Sequence, residues 1–281
     1  MPLFDRVLIV GTGFMGNALA NALFDNQLAN AIIGVEPEEK HRYQAKSNNC
    51  YQDIFSNLSQ VVAIPEVTII CSPVETVVET ACKLLLQFPE SLVSDITSVK
   101  SMVVSGVQNR APAHCSRFIG AHPIAGSDLS GPVTPPDSIF TGRICVLTPL
   151  PQNPEPAVNK IKSLWQAIGS KTKQMSCEQH DEFLGMTSHL PHAIASALSA
   201  ALSQGELEYC GTGILDTIRI ARSNPLLWKQ IFVHNRESVL NAMDRFQALF
   251  DDFRNSLENN STEDLFSILE KGQQNRDALG N

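Results

Sequence analysis

Positive charge is scarce in this chain. Its 281 residues hold 21 Lys and Arg against 29 Asp and Glu, a formal net charge of −8. A partner of polyanions needs a basic face, so bulk nucleic-acid binding is not expected, although a local cationic site for a small anion stays compatible. Long apolar runs are missing too. None approaches the ~18 residues that a membrane span requires, and no membrane association is expected. The seven cysteines, at 50, 71, 82, 115, 145, 177 and 210, include no Cys-x-x-Cys pair. That odd, scattered set predicts reduced, mostly buried thiols and a cytoplasmic setting, with no structural zinc. A leader peptide is not expected either. Asp5 and the glycines at 11, 13 and 16 break the apolar start, which reads as strand, turn and helix.

What the chain does have is apolar bulk, 43% of residues, and a regular alternation of elements. Its length suggests two domains. Residues 7–10, 31–35, 67–71, 92–95, 118–120, 144–147 and 171–175 read as strands, and 17–24 and 74–87 as helices. Strands alternating with helices predict an α/β, doubly wound, mostly parallel sheet. After about residue 176 the pattern turns helical over 178–203, 225–258 and 262–279. Asn224-Pro225 looks like an N-cap followed by a first-turn proline, and Ser261 to Asp264 looks like a capping box. The expected organisation is therefore a Rossmann-type domain over 1–175 and an all-α domain over 176–281. The four prolines between 149 and 156 read as a surface loop inside the first domain.

Gly11-x-Gly13-x-x-Gly16 lies between the first strand and helix. The first glycine allows the turn, the second lets a pyrophosphate approach the backbone, and the third lets helix pack on strand. The helix start, with Phe14 and Met15, offers free N–H groups to phosphate. Ser72, after the strand at 67–71, belongs to the same rim. Glu36 ends the second strand, 20 residues after Gly16, where a carboxylate binds ribose hydroxyls and repels a 2′-phosphate. This favours NAD, against the plainer reading of a solvated turn residue. His41 and Arg42 follow closely and are the argument for NADP, although they also fit an exposed helix face.

His122 sits in a Gly/Pro-rich loop after a strand, and Thr97, Ser98 and Lys100 follow the neighbouring strand. Loops at the carboxyl ends of parallel strands line the ligand crevice. A hydroxyl and an imidazole there could share one substrate hydroxyl, with the imidazole taking its proton. Position alone equally fits a structural loop histidine. His189 and His192, three apart, share a helix face, and His180 is a further candidate. Three histidines within thirteen positions invite a metal, but neither His-Glu-x-x-His spacing nor a carboxylate pattern accompanies them, and none is expected. Arg219, with apolar neighbours, could be a part-buried carboxylate clamp or the ion-pair partner of Asp216.

Together these segments resemble the prephenate/arogenate dehydrogenase family. The resemblance rests on the glycine loop, Asp95-Ile96-Thr97-Ser98-Val99-Lys100, and Gly120-Ala121-His122-Pro123-Ile124-Ala125-Gly126. It continues through His180-Asp181, Ser188-His189-Leu190-Pro191-His192 and Asp216-Thr217-Ile218-Arg219 to Trp228, over nearly the whole chain. It implies NAD-dependent oxidative decarboxylation of prephenate to 4-hydroxyphenylpyruvate, on the way to tyrosine. His122 would deprotonate the ring hydroxyl, Ser98 orient it, Arg219 bind a carboxylate, and His189 and His192 line the pocket. The C-terminal helices would form a homodimer interface. Thr97 stands where many members carry Ala, and Asp128 where Glu or a neutral residue is common. Asp128 could attract the ammonium of arogenate or pair with Arg219, which leaves arogenate or dual specificity open. The chain stops soon after the helical region, so a regulatory domain of the kind some members append is not expected. The glycine loop is also similar to those of pyrroline-5-carboxylate reductases and 3-hydroxyacid dehydrogenases, which lack the His122 and 188–192 segments in this form. A nucleotide sensor without chemistry is the remaining alternative.

Overall fold

The computed structural model describes residues 1–125 and 139–280. Eight strands make one sheet: β1 (Phe4–Val10), β2 (Ala29–Val35), β3 (Asp53–Phe55), β4 (Val67–Ile70), β5 (Leu92–Asp95), β6 (Phe118–Pro123), β7 (Ile144–Thr148) and β8 (Lys171–Gln174). Their order is β3-β2-β1-β4-β5-β6-β7-β8. All neighbours are parallel except β6 and β7, which pair antiparallel with His122 opposite Val146. The first six strands have the doubly wound order, with its switch point between β1 and β4.

Five helices belong to this part: α1 (Phe14–Asp25), α2 (Glu39–Lys46), α3 (Val74–Gln87), α4 (Ser101–Arg110) and α5 (Glu155–Ala167). The sheet is apolar on both faces because it is covered on both. Along β1, Val7 and Ile9 join Leu19, Ile161 and Trp165 in one cluster. Leu8 and Val10 point the other way, to Val77, Leu84 and Val103. Of the four prolines, those at 149, 151 and 154 do lie in a loop, but Pro156 falls in the first turn of α5, where a missing N–H costs no helix bond, and β8 follows that helix.

The remainder is helical: α6 (Cys177–Leu184), α7 (Leu190–Ala201), α8 (Thr212–Ile218), α9 (Pro225–His234), α10 (Arg236–Glu258) and α11 (Thr262–Ala278). Two expected helices differ in detail. The run over 178–203 contains a π segment, Gly185–His189, that ends two residues before Pro191. A proline lacks the N–H and crowds the carbonyl four residues back, and a widened turn accommodates both defects. The run over 225–258 breaks at Asn235, which is buried. Asn224 caps α9 through the Leu226 N–H, as its sequence suggests. The capping box at Ser261 does not form, because its hydroxyl bonds the Asp264 carboxylate instead of a backbone N–H. No helix among the described residues is long and apolar enough to cross a membrane. All seven cysteines are free, and four of them are buried.

Candidate active site

The glycine loop follows β1 and faces the end of β4. Gly11 has φ +93°, and a Cβ there would lie 2.9 Å from the Cys71 carbonyl and Ser72 N. A Cβ on Gly16 would fall 2.0 Å from the Gly11 oxygen, so helix α1 could not close on the turn. Gly13 differs: nothing lies within 4 Å of its missing Cβ. Two glycines serve packing and one leaves backbone open to a ligand, which is what a pyrophosphate needs at the N-terminus of α1. Phe14 and Met15 begin that helix, Phe14 being buried and Met15 packed against the core. Ser72 is half-buried and bonds Thr76.

Glu36 stands at the end of β2, 7% exposed. Its carboxylate accepts hydrogen bonds from Thr12 N at 3.0 Å and Glu38 N at 3.1 Å. Those two bonds orient the carboxylate and leave its other lone pairs available for ribose hydroxyls. Arg42 is not on a free helix face: its guanidinium donates to the carbonyls of Glu36 at 2.8 Å and Pro37 at 2.6 Å. His41 lies 3.4 Å from Glu38. The residues that argued for NADP are thus engaged beside Glu36.

A second group gathers at the carboxyl ends of β5 and β6. His122 Nδ1 lies 2.8 Å from His180 Nε2, and His180 Nδ1 lies 2.8 Å from Asp181 Oδ1. Asp181 also accepts from Lys100 N and Ser101 N, both at 2.8 Å, at the start of α4. Beneath His122, Lys100 donates to Asp95 Oδ2 at 2.5 Å and to the Ala121 carbonyl at 2.6 Å. Lys100 and Asp95 are both fully buried. Thr97 bonds Asp95 and the Val99 carbonyl, so its hydroxyl braces the loop carrying Ser98. Ser98 itself is half-buried.

Further in, the Asn235 amide donates to the Asp181 carbonyl at 2.8 Å and sits 3.0 Å from His189 Nδ1. An amide nitrogen only donates, so His189 Nδ1 accepts and its Nε2 carries the hydrogen. That Nε2 is buried and has no partner among the described residues, and neither has His192 Nδ1. His192 stacks on Trp228 with ring centroids 3.5 Å apart, and His189 meets the same indole edge-on.

Burial pushes the pKa of His122 well below 6.5, helped by His180, Lys100 and His189. Burial also lowers His180, against its bond to Asp181, and brings His189 to about 4. Burial alone would raise Asp181, but hydrogen bonds from His180, Ser101 and Lys100 outweigh it and hold the carboxyl below its usual range. The site therefore presents neutral imidazoles over an ionised carboxylate. Among the described residues, no group of three or more His, Cys, Asp or Glu is arranged to hold a metal ion.

Residues 19–174 match the model for the prephenate dehydrogenase nucleotide-binding domain, and 176–271 that for the dimerization domain. This chain belongs to the prephenate dehydrogenase family. It is 28% identical to the prephenate dehydrogenase of Bacillus subtilis over 98% of this chain and 76% of that one. It is 27% identical to the cyclohexadienyl dehydrogenase of Zymomonas mobilis, over 99% and 97%. A crystal structure of Aquifex aeolicus prephenate dehydrogenase, in complex with hydroxyphenyl propionate and NAD+, has a TM-score of 0.91 and 30% identity, covering 98% of each chain. As a family member the chain is an oxidoreductase. Its fold is the family's Rossmann-like sheet followed by a helical dimerization region.

Among the expected residues, the glycine loop closes on Cys71 and Ser72 with Glu36 bonded to Thr12 N, His122 joins the network of His180, Asp181, Asn235 and His189, and His192 stacks on Trp228. Arg219 does not fit the part-buried expectation. It is exposed, at the start of the 3-10 turn Arg219–Arg222. Asp128 lies outside the described residues. Sequence reasoning left His180 and Asp181 without roles and missed Asn235. The only signals were the His-Asp dipeptide and an Asn inside a helical pattern.

Proposed function

We propose that this chain oxidatively decarboxylates prephenate to 4-hydroxyphenylpyruvate with NAD, as a homodimer in the cytoplasm. The observation that carries the reading is His122. It is a neutral, buried imidazole at the carboxyl edge of a dinucleotide-type sheet, with one ring nitrogen already engaged by His180. Family membership and the ligands named for the Aquifex aeolicus structure support it. The free cysteines support a reducing compartment. Exposed Leu226, Val233, Phe246 and Phe250 on α9 and α10 suit a face covered by a second copy.

Gly11, Gly13, Gly16 and the N–H groups of Phe14 and Met15 would hold the pyrophosphate. Glu36 would hold the adenosine ribose, and Ser72 would flank the dinucleotide. NAD, when bound, supplies the hydride acceptor. His122 takes the proton of the ring hydroxyl as the carbonyl forms, and Ser98 orients that hydroxyl. His189 offers an N–H donor to a substrate oxygen, and His192 lines the pocket. Arg219 reaches a substrate carboxylate from the rim. The ring carboxylate then leaves as CO2, driven by aromatisation.

The deciding experiment is turnover of prephenate and arogenate with NAD and NADP. Prephenate with NAD should be the best pair. No turnover of either substrate would refute the reading, and a clear preference for arogenate would correct its substrate. In Arg219→Ala, KM should rise about tenfold or more for both substrates, the equivalent of one charged hydrogen bond of ~1.5–3 kcal/mol. An unchanged KM removes Arg219 from the site.

Two further results follow from the geometry. In Glu36→Gln the NAD preference should shrink by about tenfold or more, because the repulsion of a 2′-phosphate is gone while the shape is kept. Equal efficiency with both cofactors in the unaltered protein would overturn the role of Glu36. The base must be unprotonated, and the pKa of His122 lies well below 6.5. A lowered pKa keeps the imidazole neutral as the pH falls through 6.5, so kcat/KM should stay level there and drop only at more acid pH. An acid limb centred above 6.5 would show that His122 is not the controlling group.

A further inference from the structure

Four hydrogen bonds, running from the start of α4 through Asp181 and His180 to His122, leave one consistent placement of protons. Asp181 accepts from two backbone N–H groups, one at Lys100 and one at Ser101, and those groups can only donate. Its carboxylate, held ionised by these contacts, can only accept from His180 Nδ1. His180 in its neutral form then has its lone pair on Nε2. The atom 2.8 Å from that lone pair, His122 Nδ1, must carry a hydrogen. His122 is left with its own lone pair on Nε2. The charged and titratable groups around this ring are Lys100 and Asp95 from the β5 side, Cys145 from β7, and His180, Asp181 and His189 from the helical part.

From this chain of contacts we infer that His180 and Asp181 are positioning residues for the reaction, a relay that fixes the tautomer of His122 and makes Nε2 its basic atom. The inference rests on the reading of His122 as the proton acceptor. In that step the substrate O–H bond breaks and a hydrogen–Nε2 bond forms, while Nδ1 keeps its hydrogen. The positive charge that appears on His122 is met by His180 Nε2 and, through that ring, by the Asp181 carboxylate. Asp181 in turn is fixed at the N-terminus of α4, where backbone N–H groups favour an anion. The relay also joins the two parts of the chain. His122 belongs to the sheet, whereas His180 and Asp181 come from α6 in the helical part. The base is correctly set only when the two are packed together.

The test uses full-length protein with prephenate and NAD. His180→Leu removes the acceptor for His122 Nδ1 at similar volume. Its kcat should fall on the order of 10²-fold, the lower end of the cost of losing a general base, with KM and NAD affinity unchanged. His180→Gln puts an amide where Nε2 was, and its oxygen can accept the same hydrogen. It should recover about tenfold or more of the loss, because one charged hydrogen bond is regained. In the double variant with His122→Asn, His180→Leu should add no more than about twofold, because the two act as one unit. A His180→Leu enzyme with normal kcat, a loss confined to KM, or fully additive effects would overturn the relay. His122→Asn with normal kcat would instead sink the reading it rests on. If His180→Leu fails to fold, ¹⁵N spectra of histidine-labelled, unaltered protein still decide. His122, assigned by its loss in His122→Asn, should show hydrogen on Nδ1 and a bare Nε2, and the opposite tautomer refutes the inference.

Discussion

His122→Asn is expected to lose about 10²–10⁴-fold in kcat while keeping its fold and its affinity for substrate and cofactor. The magnitude follows from removing the group that takes the hydroxyl proton. The selectivity for kcat follows from geometry. His122 is 8% exposed, and its Nδ1 is occupied by His180. The amide of an asparagine reaches the position of Nδ1 and can donate to His180 Nε2, so the buried network stays satisfied. What disappears is the lone pair on the far ring nitrogen. Steady-state kinetics with prephenate, together with NAD binding and a thermal melt of the variant, check this. A kcat near normal would remove His122 from the chemistry, and a large loss of stability would make its role structural.

Lys100→Met should cost about 3–5 kcal/mol of stability, the usual penalty for breaking a buried ion pair from one side. Lys100 and Asp95 are both fully buried, and the ammonium also caps the Ala121 carbonyl next to His122. Methionine fills the space of the alkyl chain but leaves the carboxylate without its cation. Thr97 and Ala121 N still donate to Asp95, which softens the loss without removing it. For a protein of this size the midpoint should fall on the order of 10 °C. Asp95→Asn combined with Lys100→Met removes both charges and should restore most of that drop. Calorimetry reads both variants. A melt of Lys100→Met within about 2 °C of the unaltered protein would show that the pair contributes little.

The two variants separate roles that the sequence placed side by side. In the sequence, Lys100 and Ser98 follow the same strand on the rim facing His122. The structure makes Lys100 a buried strut between β5 and β6 that also opposes protonation of His122. Asn235 is the converse case. In the sequence it is one polar residue in a helical run. In the fold it interrupts that run, because its amide is needed by both the Asp181 carbonyl and His189.

Local chemistry is what the sequence alone determined. Gly11, Gly13 and Gly16 announce the dinucleotide turn because backbone conformation and Cβ sterics act within a few residues. Buried strands announce themselves as short apolar runs, and Glu36 follows from its place at the end of one. The short strand β3 gave little signal, since its three residues, Asp53 to Phe55, are not an apolar run. Contacts across long sequence separations needed the tertiary structure. His122 and His180 stand 58 residues apart, and Asn235 stands 54 from Asp181. No periodicity carries such a pairing, because it depends on how α6 and Asn235 pack onto the carboxyl edge of the sheet. Only that packing decided which of the histidines ends the relay, which is its middle, and which ring nitrogens each one engages.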